Sequence, residues 1–245
     1  MKKTFAWALA AATLMTFAAL PGYGQTVQSV LDKMIDAMGG RKALEAVRDT
    51  TMTATVDLVQ QGMSAPITMY QKEPNKLRVE IEIAAMGMTI IQAFDGQKGW
   101  GTNFQTMATE EMSDVASKNI SHQSLGNDSF LNPQKLGITF ALKPKEKIED
   151  KDYIVLEETL ADGFKIIMYL DPATYLPYKS VAKSLDPMSG GEVDSESYLS
   201  DYRKVGDLMV PYSTRTMSNG AEVQRLTVAS VTFNTNLDDA LFIMK

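Results

Sequence analysis

The chain has 245 residues, of which 44% are hydrophobic and 22% charged, with no cysteine, one histidine and a formal charge of −6. This is a globular composition, which excludes disordered, collagen-like and disulfide-stapled chains. Without a thiol or a second histidine there is no thiolate metal site, cysteine nucleophile or zinc-binding His pair, so no cofactor is expected; the acidic balance lacks the clustered Lys and Arg of a nucleic-acid binder.

Residues 1–24 open with Lys2 and Lys3, continue through the uncharged run Phe5 to Leu20, and end in Pro21-Gly22-Tyr23-Gly24. A basic start, an apolar run short of the ~20 residues of a membrane span, and small residues before Gln25 predict a secretory signal cleaved after Gly24. The other reading of the same segment is an uncleaved N-terminal anchor. Cleavage removes two lysines and no acid, leaving residues 25–245 with a charge of −8. No cysteine follows the cut, so the mature chain is not itself an N-acylated lipoprotein, and an exported, periplasmic protein is expected.

Val27, Val30, Leu31, Met34, Ile35 and Met38 fall on one stripe at helical spacing, ended by Gly39-Gly40. They predict an amphipathic helix that either packs into a core or acts as a lid over an apolar cavity. A second short helix is expected over Arg41 to Val47. From Thr51 the period changes to two. Met52, Ala54, Val56 and Leu58 alternate with Thr51, Thr53, Thr55 and Asp57, and Leu77, Val79, Ile81 and Ile83 alternate with Lys76, Arg78, Glu80 and Glu82. Such alternation belongs to half-buried antiparallel strands. Further strands are predicted over 67–71, 88–94, 98–103, 153–160, 164–170, 178–184, 193–202, 208–217 and 223–233, separated by turns such as Asp95-Gly96, Asp162-Gly163 and Asn219-Gly220. Only Thr109 to Leu136 breaks this meander, with a helix expected near Glu110–Lys118. No linker divides the mature chain. The fold class is therefore mainly β with few helices: one domain, 25–245, built as a large antiparallel, curled, incompletely closed β-barrel of about eleven strands covered by helices. A sheet this wide leaves an apolar hollow.

The string Lys72-Glu73-Pro74-Asn75-Lys76-Leu77-Arg78 followed by Phe94-Asp95-Gly96-Gln97-Lys98-Gly99-Trp100 resembles a stretch of the LolA/LolB-like outer-membrane lipoprotein-sorting proteins. Tyr169-Leu170-Asp171-Pro172, Tyr202-Arg203-Lys204-Val205-Gly206 with Val210-Pro211, and Leu237-Asp238-Asp239-Ala240-Leu241-Phe242 are similar to the C-terminal half of that family. The resemblance implies a half-barrel with helices over its open side, whose apolar interior shields the acyl chains of a lipidated protein or other apolar ligand between two membranes. It also implies membrane-associated donor or acceptor proteins as partners and a non-enzymatic role. Desolvating a 16-carbon chain fully would contribute on the order of 10 kcal/mol, at ~0.8 kcal/mol per methylene.

On this reading the cavity is expected to be lined by Met34, Ile35, Met52, Val56, Leu58, Leu77, Val79, Ile81, Ile83, Ile90, Phe94 and Trp100, with Arg78 as a latch for the helical lid. Trp100 also suits a core or edge plug, and Arg78 a solvated charge. The 16 methionines either fill core gaps or soften a cargo cavity; Met86-Gly87-Met88 is the one close pair a Cu(I) ion could use. His122 reads as an exposed, inert loop residue. The acidic clusters at Glu149-Asp150-Lys151-Asp152 and Asp194-Ser195-Glu196 offer carboxylates to calcium but lack the glycine and distal glutamate of an EF-hand loop, and so read as solvated turns. No G-x-S-x-G elbow or nucleophile–base pair points to an enzyme. A monomeric carrier is expected; a sensor or protein-interaction module of the same fold is the alternative.

Overall fold

The computed structural model describes residues 25–103, 105–185 and 191–244, so the expected signal segment lies outside the described residues. The first helix, α1 (Val27–Ala37), forms as its apolar stripe predicts. Thr26 closes its start: the Thr26 hydroxyl accepts from Ser29 N at 3.1 Å, and the Ser29 hydroxyl accepts from Thr26 N at 3.0 Å. Gly39 ends it at φ 128°, where a side chain would meet the Asp207 carbonyl. A five-residue helix, α2 (Arg41–Glu45), follows.

All strands join one antiparallel sheet: β1 (Asp49–Leu58), β2 (Met63–Lys72), β3 (Lys76–Ile83), β4 (Met88–Phe94), β5 (Gly99–Thr102), β6 (Thr109–Glu111), β7 (Thr139–Ile148), β8 (Lys151–Thr159), β9 (Lys165–Leu170), β10 (Pro177–Leu185), β11 (Glu192–Val205), β12 (Leu208–Ser218) and β13 (Ala221–Phe233). Their order is β6-β5-β4-β3-β2-β1-β13-β12-β11-β10-β9-β8-β7, thirteen strands rather than about eleven. The additional two, β6 and β7, are the two edges. The sheet remains unclosed, since β6 and β7 do not pair. The chain between these edges carries α3 (Asp114–Gln123) and α4 (Asp128–Leu131). The expected helix near Glu110 starts later because Thr109–Glu111 pairs with β5, and Ser113 caps α3 by accepting from Ala116 N.

Alternation divides the sheet into two faces. On β1 to β4, Met52, Val56, Met69, Val79 and their neighbours share the inner face. At the other end, Val30, Leu31 and Met34 of α1 pack on Ile154, Leu156, Met168 and Leu170 of β8 and β9. Ile35 packs with Leu44, Val47, Leu131 and Leu208, joining α1, α2, α4 and β12. After β13 the chain crosses the outer face as a strap. Asp49 starts it, its carboxylate accepting from Thr235 N at 2.7 Å and Asn236 N at 3.0 Å. Lys72 and Lys76 hold Asp239 at 2.8 and 3.0 Å, and the strap ends in the fully buried Phe242.

Candidate ligand-binding site

Register places nine of the expected lining residues together. Met52 stands beside Met69 and Val79, Ile67 beside Ile81 and Ile90, Leu77 beside Phe94, and Ile83 beside Met88, while Val56 and Leu58 continue the β1 row. Val56, Leu77, Ile90 and Phe94 are buried, whereas Met52, Leu58, Val79, Ile81 and Ile83 are only partly so. Ile120 of α3 covers Leu77 and Phe94. No helix residue joins the hydrophobic cluster around Val56 and Ile67 among the described residues. The inner wall of β1 to β4 is thus an apolar trough, closed at the α3 end and open towards the β1–β2 and β3–β4 turns. At that open end stand the exposed Val59, Met63 and Met86, the last 73% accessible.

The other expected residues lie elsewhere. Met34 and Ile35 are buried in the packing of α1 described above, so this helix is a fixed wall of the core and its stripe has no free face. Trp100 and Arg78 are on the outer face. The Trp100 neighbours on β5, Gly99 and Gly101, take the inner positions opposite Phe94 and Gln92. The indole Nε1–H donates to the Phe242 carbonyl at 2.7 Å, and the Arg78 guanidinium lies 5.4 Å from the indole centroid while donating to the Leu241 carbonyl at 3.0 Å. Both residues therefore clamp the C-terminal strap, and Arg78 holds its Asp239–Leu241 turn rather than α1.

Helix α3 is pinned at both ends. Gly99 N donates to the Ser117 hydroxyl at 2.7 Å, and a Cβ on Gly99 would sit 2.9 Å from the Ser117 Cα, so glycine permits the approach. At the other end His122 Nε2 meets Asp162 of the β8–β9 turn at 2.8 Å, Lys118 reaches the same carboxylate at 3.1 Å, and the imidazole stacks on Phe164 with centroids 4.1 Å apart. Burial pushes the Asp162 carboxyl up, but the Phe164 N–H, His122 and Lys118 together hold it well below the usual carboxylate range. His122 is thus a largely buried helical residue, not an exposed loop one, and its Nδ1 has no hydrogen-bond partner among the described residues.

Under α3 lies a cleft of about 560 Å³ against the inner face of β9 to β13. Sequence reasoning missed it. Its floor is polar and uncharged: the hydroxyls of Ser180, Ser197 and Thr216 and the amide of Gln224 follow one another across four strands, with Ser195 and Thr214 beside them. Met69 lines both this cleft and the apolar trough, so the two are continuous. One row further along, Glu158 stands between Phe140 and Ile166 on the face that carries Leu156. It is 3% exposed and has no salt bridge or hydrogen bond among the described residues, and desolvation alone pushes its carboxyl up to about 7. Asp194 and Glu196, expected in a solvated turn, are instead on β11, paired with Lys183 and Lys179 of β10.

No family model and no curated protein matches this chain. Solved structures do. The chain superposes on a LolA superfamily protein from Nitrosomonas europaea with a TM-score of 0.60 at 18% identity, covering 90% of this chain and 98% of that one. A structure provisionally described as an outer membrane lipoprotein-sorting protein domain from Vibrio parahaemolyticus gives 0.60 at 15% identity, over 89% and 97%. A DUF1329 family protein from Desulfovibrio piger gives 0.60 at 13% identity, also over 89% and 97%. The fold implied by the sequence resemblance is therefore the fold observed.

Proposed function

We propose that this chain is an exported, periplasmic, non-enzymatic carrier that shields the acyl chains of lipoproteins, or other apolar cargo, against the inner wall of its half-barrel during transfer towards the outer membrane. The observation that supports this reading is the row Met52, Leu58, Val79, Ile81 and Ile83, five aliphatic side chains left partly open on a concave face whose neighbours are buried. Contiguous apolar surface left open to water marks a binding groove, because its burial is worth ~25 cal/mol per Å² once a partner covers it. The motifs shared with lipoprotein-sorting proteins and the likeness to a structure described as one support acyl chains as the partner. Carriage of this kind needs a closable apolar surface and no reacting group.

The test is mass spectrometry of lipids and acylated peptides extracted from protein purified from the periplasm. Wild-type protein should yield acyl species in near-stoichiometric amount, and the Val79→Asp, Ile81→Asp double variant should come empty while melting within a few degrees of wild type, since both positions are partly solvated. Wild-type protein that carries nothing refutes the proposal.

A further inference from the structure

The concave face is apolar at both ends and hydroxylated in the middle. Along one row the residues run Leu156, Met168, Ser180, Ser197, Thr216, Gln224 and Leu58. The polar stretch covers the four strands β10 to β13, or three inter-strand spacings, about 14 Å. An inward position that merely fills a core takes an aliphatic side chain, as β8 and β9 do with Ile154, Leu156, Met168 and Leu170. Here the inward positions carry small neutral donors and acceptors instead, and none of Ser180, Ser195, Ser197, Thr214, Thr216 and Gln224 makes a side-chain hydrogen bond to another of the described residues. Most charges of these same strands are kept on the opposite face; Arg203, opposite Val210 and 4.4 Å over the Tyr212 ring, is on the inner face but pairs with Asp201. Lys179 pairs with Glu196 at 2.8 Å, Lys183 with Asp194 at 3.5 Å, and Arg225 with Glu222 at 2.8 Å. Among the described residues no lysine, arginine, aspartate or glutamate lines the cleft, and its single imidazole, His122, already meets Asp162 through Nε2.

Resting on the carrier reading, we infer that the cleft under α3 is a headgroup site for an amphiphile whose polar end is uncharged and rich in hydroxyl, ester or amide groups, its chain leaving past Met69 into the trough. A phosphate or quaternary ammonium taken into this cleft would be desolvated with no lysine, arginine or carboxylate among the described lining residues to pair it, whereas a neutral head exchanges its water for protein hydrogen bonds at little net loss. The volume of about 560 Å³ falls within the range of small-molecule sites. The continuity through Met69 fixes where head and chain part.

The experiment is titration calorimetry of the mature chain with three eight-carbon amphiphiles below their critical micelle concentrations: octyl glucoside, octylphosphocholine and octyltrimethylammonium. Two retained head-group hydrogen bonds against their loss correspond to roughly a tenfold change in affinity, so wild type should prefer the glucoside about tenfold over either charged head. The Ser197→Ala, Thr216→Val double variant should bring all three within about twofold of one another. Gln224→Leu, at a partly buried site, should reduce the preference in the same direction and serves where the double variant does not fold. Ile81→Asp should weaken all three together, by a similar factor. Equal wild-type affinities, or a preference untouched in both variants, overturn the headgroup site and leave the carrier standing. Failure of all three to bind wild type overturns both.

Discussion

Replacing Glu158 by glutamine isolates a carboxyl that burial pushes up to about 7. In the folded chain desolvation raises this group to about 7 from an ordinary value of 4.5. Below pH 4.5 both folded and unfolded chains bind the proton and stability is full. Between 4.5 and about 7 the unfolded chain gives the proton up and the folded chain keeps it, so stability falls as pH rises, and by about pH 7 the loss is complete. At 1.36 kcal/mol per pH unit, the window costs the folded state on the order of 3 kcal/mol. For a chain of this size each kcal/mol moves the melting temperature by roughly 2–4 °C, so wild type should lose about 6–12 °C relative to Glu158→Gln between pH 4.5 and 8. Circular dichroism melts at half-unit pH intervals read this difference directly, and other groups that titrate in both proteins cancel in it. The strongly paired Asp162 and the ion-paired Asp171 and Glu196 are lowered, so they act on the acid side of this window. Melting curves of the two proteins that run parallel to within 2 °C would refute the burial argument.

Phe242→Ala removes the fully buried end of the strap and should cost about 3–5 kcal/mol, lowering the melting temperature by roughly 10 °C, while Ile243→Ala next to it, about half exposed, should change little; equal effects would show that the strap does not hold the outer face. Gly99→Val puts branched carbon where Ser117 Cα and Ile120 Cγ2 lie 2.9 and 3.0 Å from a bare Cβ position, so hydrogen exchange of α3 amides should quicken by at least tenfold with β8 to β12 unaffected. Unchanged protection of α3 would contradict the close packing read there.

The inner wall was legible on β1 and β3 because their residues alternate between apolar and charged or hydroxyl side chains, and a period of two assigns each to a face. The two sheet edges were not. Strand β7 contains Lys143-Pro144-Lys145-Glu146-Lys147 and β6 contains Thr109-Glu110-Glu111, the charges and proline by which an edge discourages further pairing, and the same features hide it from a search for apolar alternation. The hydroxyl stretch of β10 to β13 escaped for a related reason: both faces are polar, so the pattern has no apolar side. Its signal was a finer alternation, fixed charge at Lys179, Lys183, Asp194 and Glu196 against Ser or Ala at the positions between. Trp100 as a cavity residue and Arg78 as a lid latch are expectations of size and charge, but what each meets depends on the strap, and the polar, aperiodic run from Asn234 to Asp239 carries no local signal for where it docks. His122 and Glu158 acquire their surroundings from contacts 40 residues away and across strands, such as the His122–Asp162 pair, which spacing alone does not encode.

The strands that meet at the middle of the sheet come from opposite ends of the chain, with Thr50 paired to Phe233. Each wing, β1 to β6 and β7 to β13, can zip up from neighbouring hairpins as it emerges, but the joint between wings waits until β13 has been released. Such distant closure is slow in proportion to the chain it must gather, and until it happens β1 and β13 each offer a bare hydrogen-bonding margin to other molecules. A chaperone that holds this chain after synthesis therefore has a defined task, which is to keep two half-built sheets apart from strangers until β13 arrives.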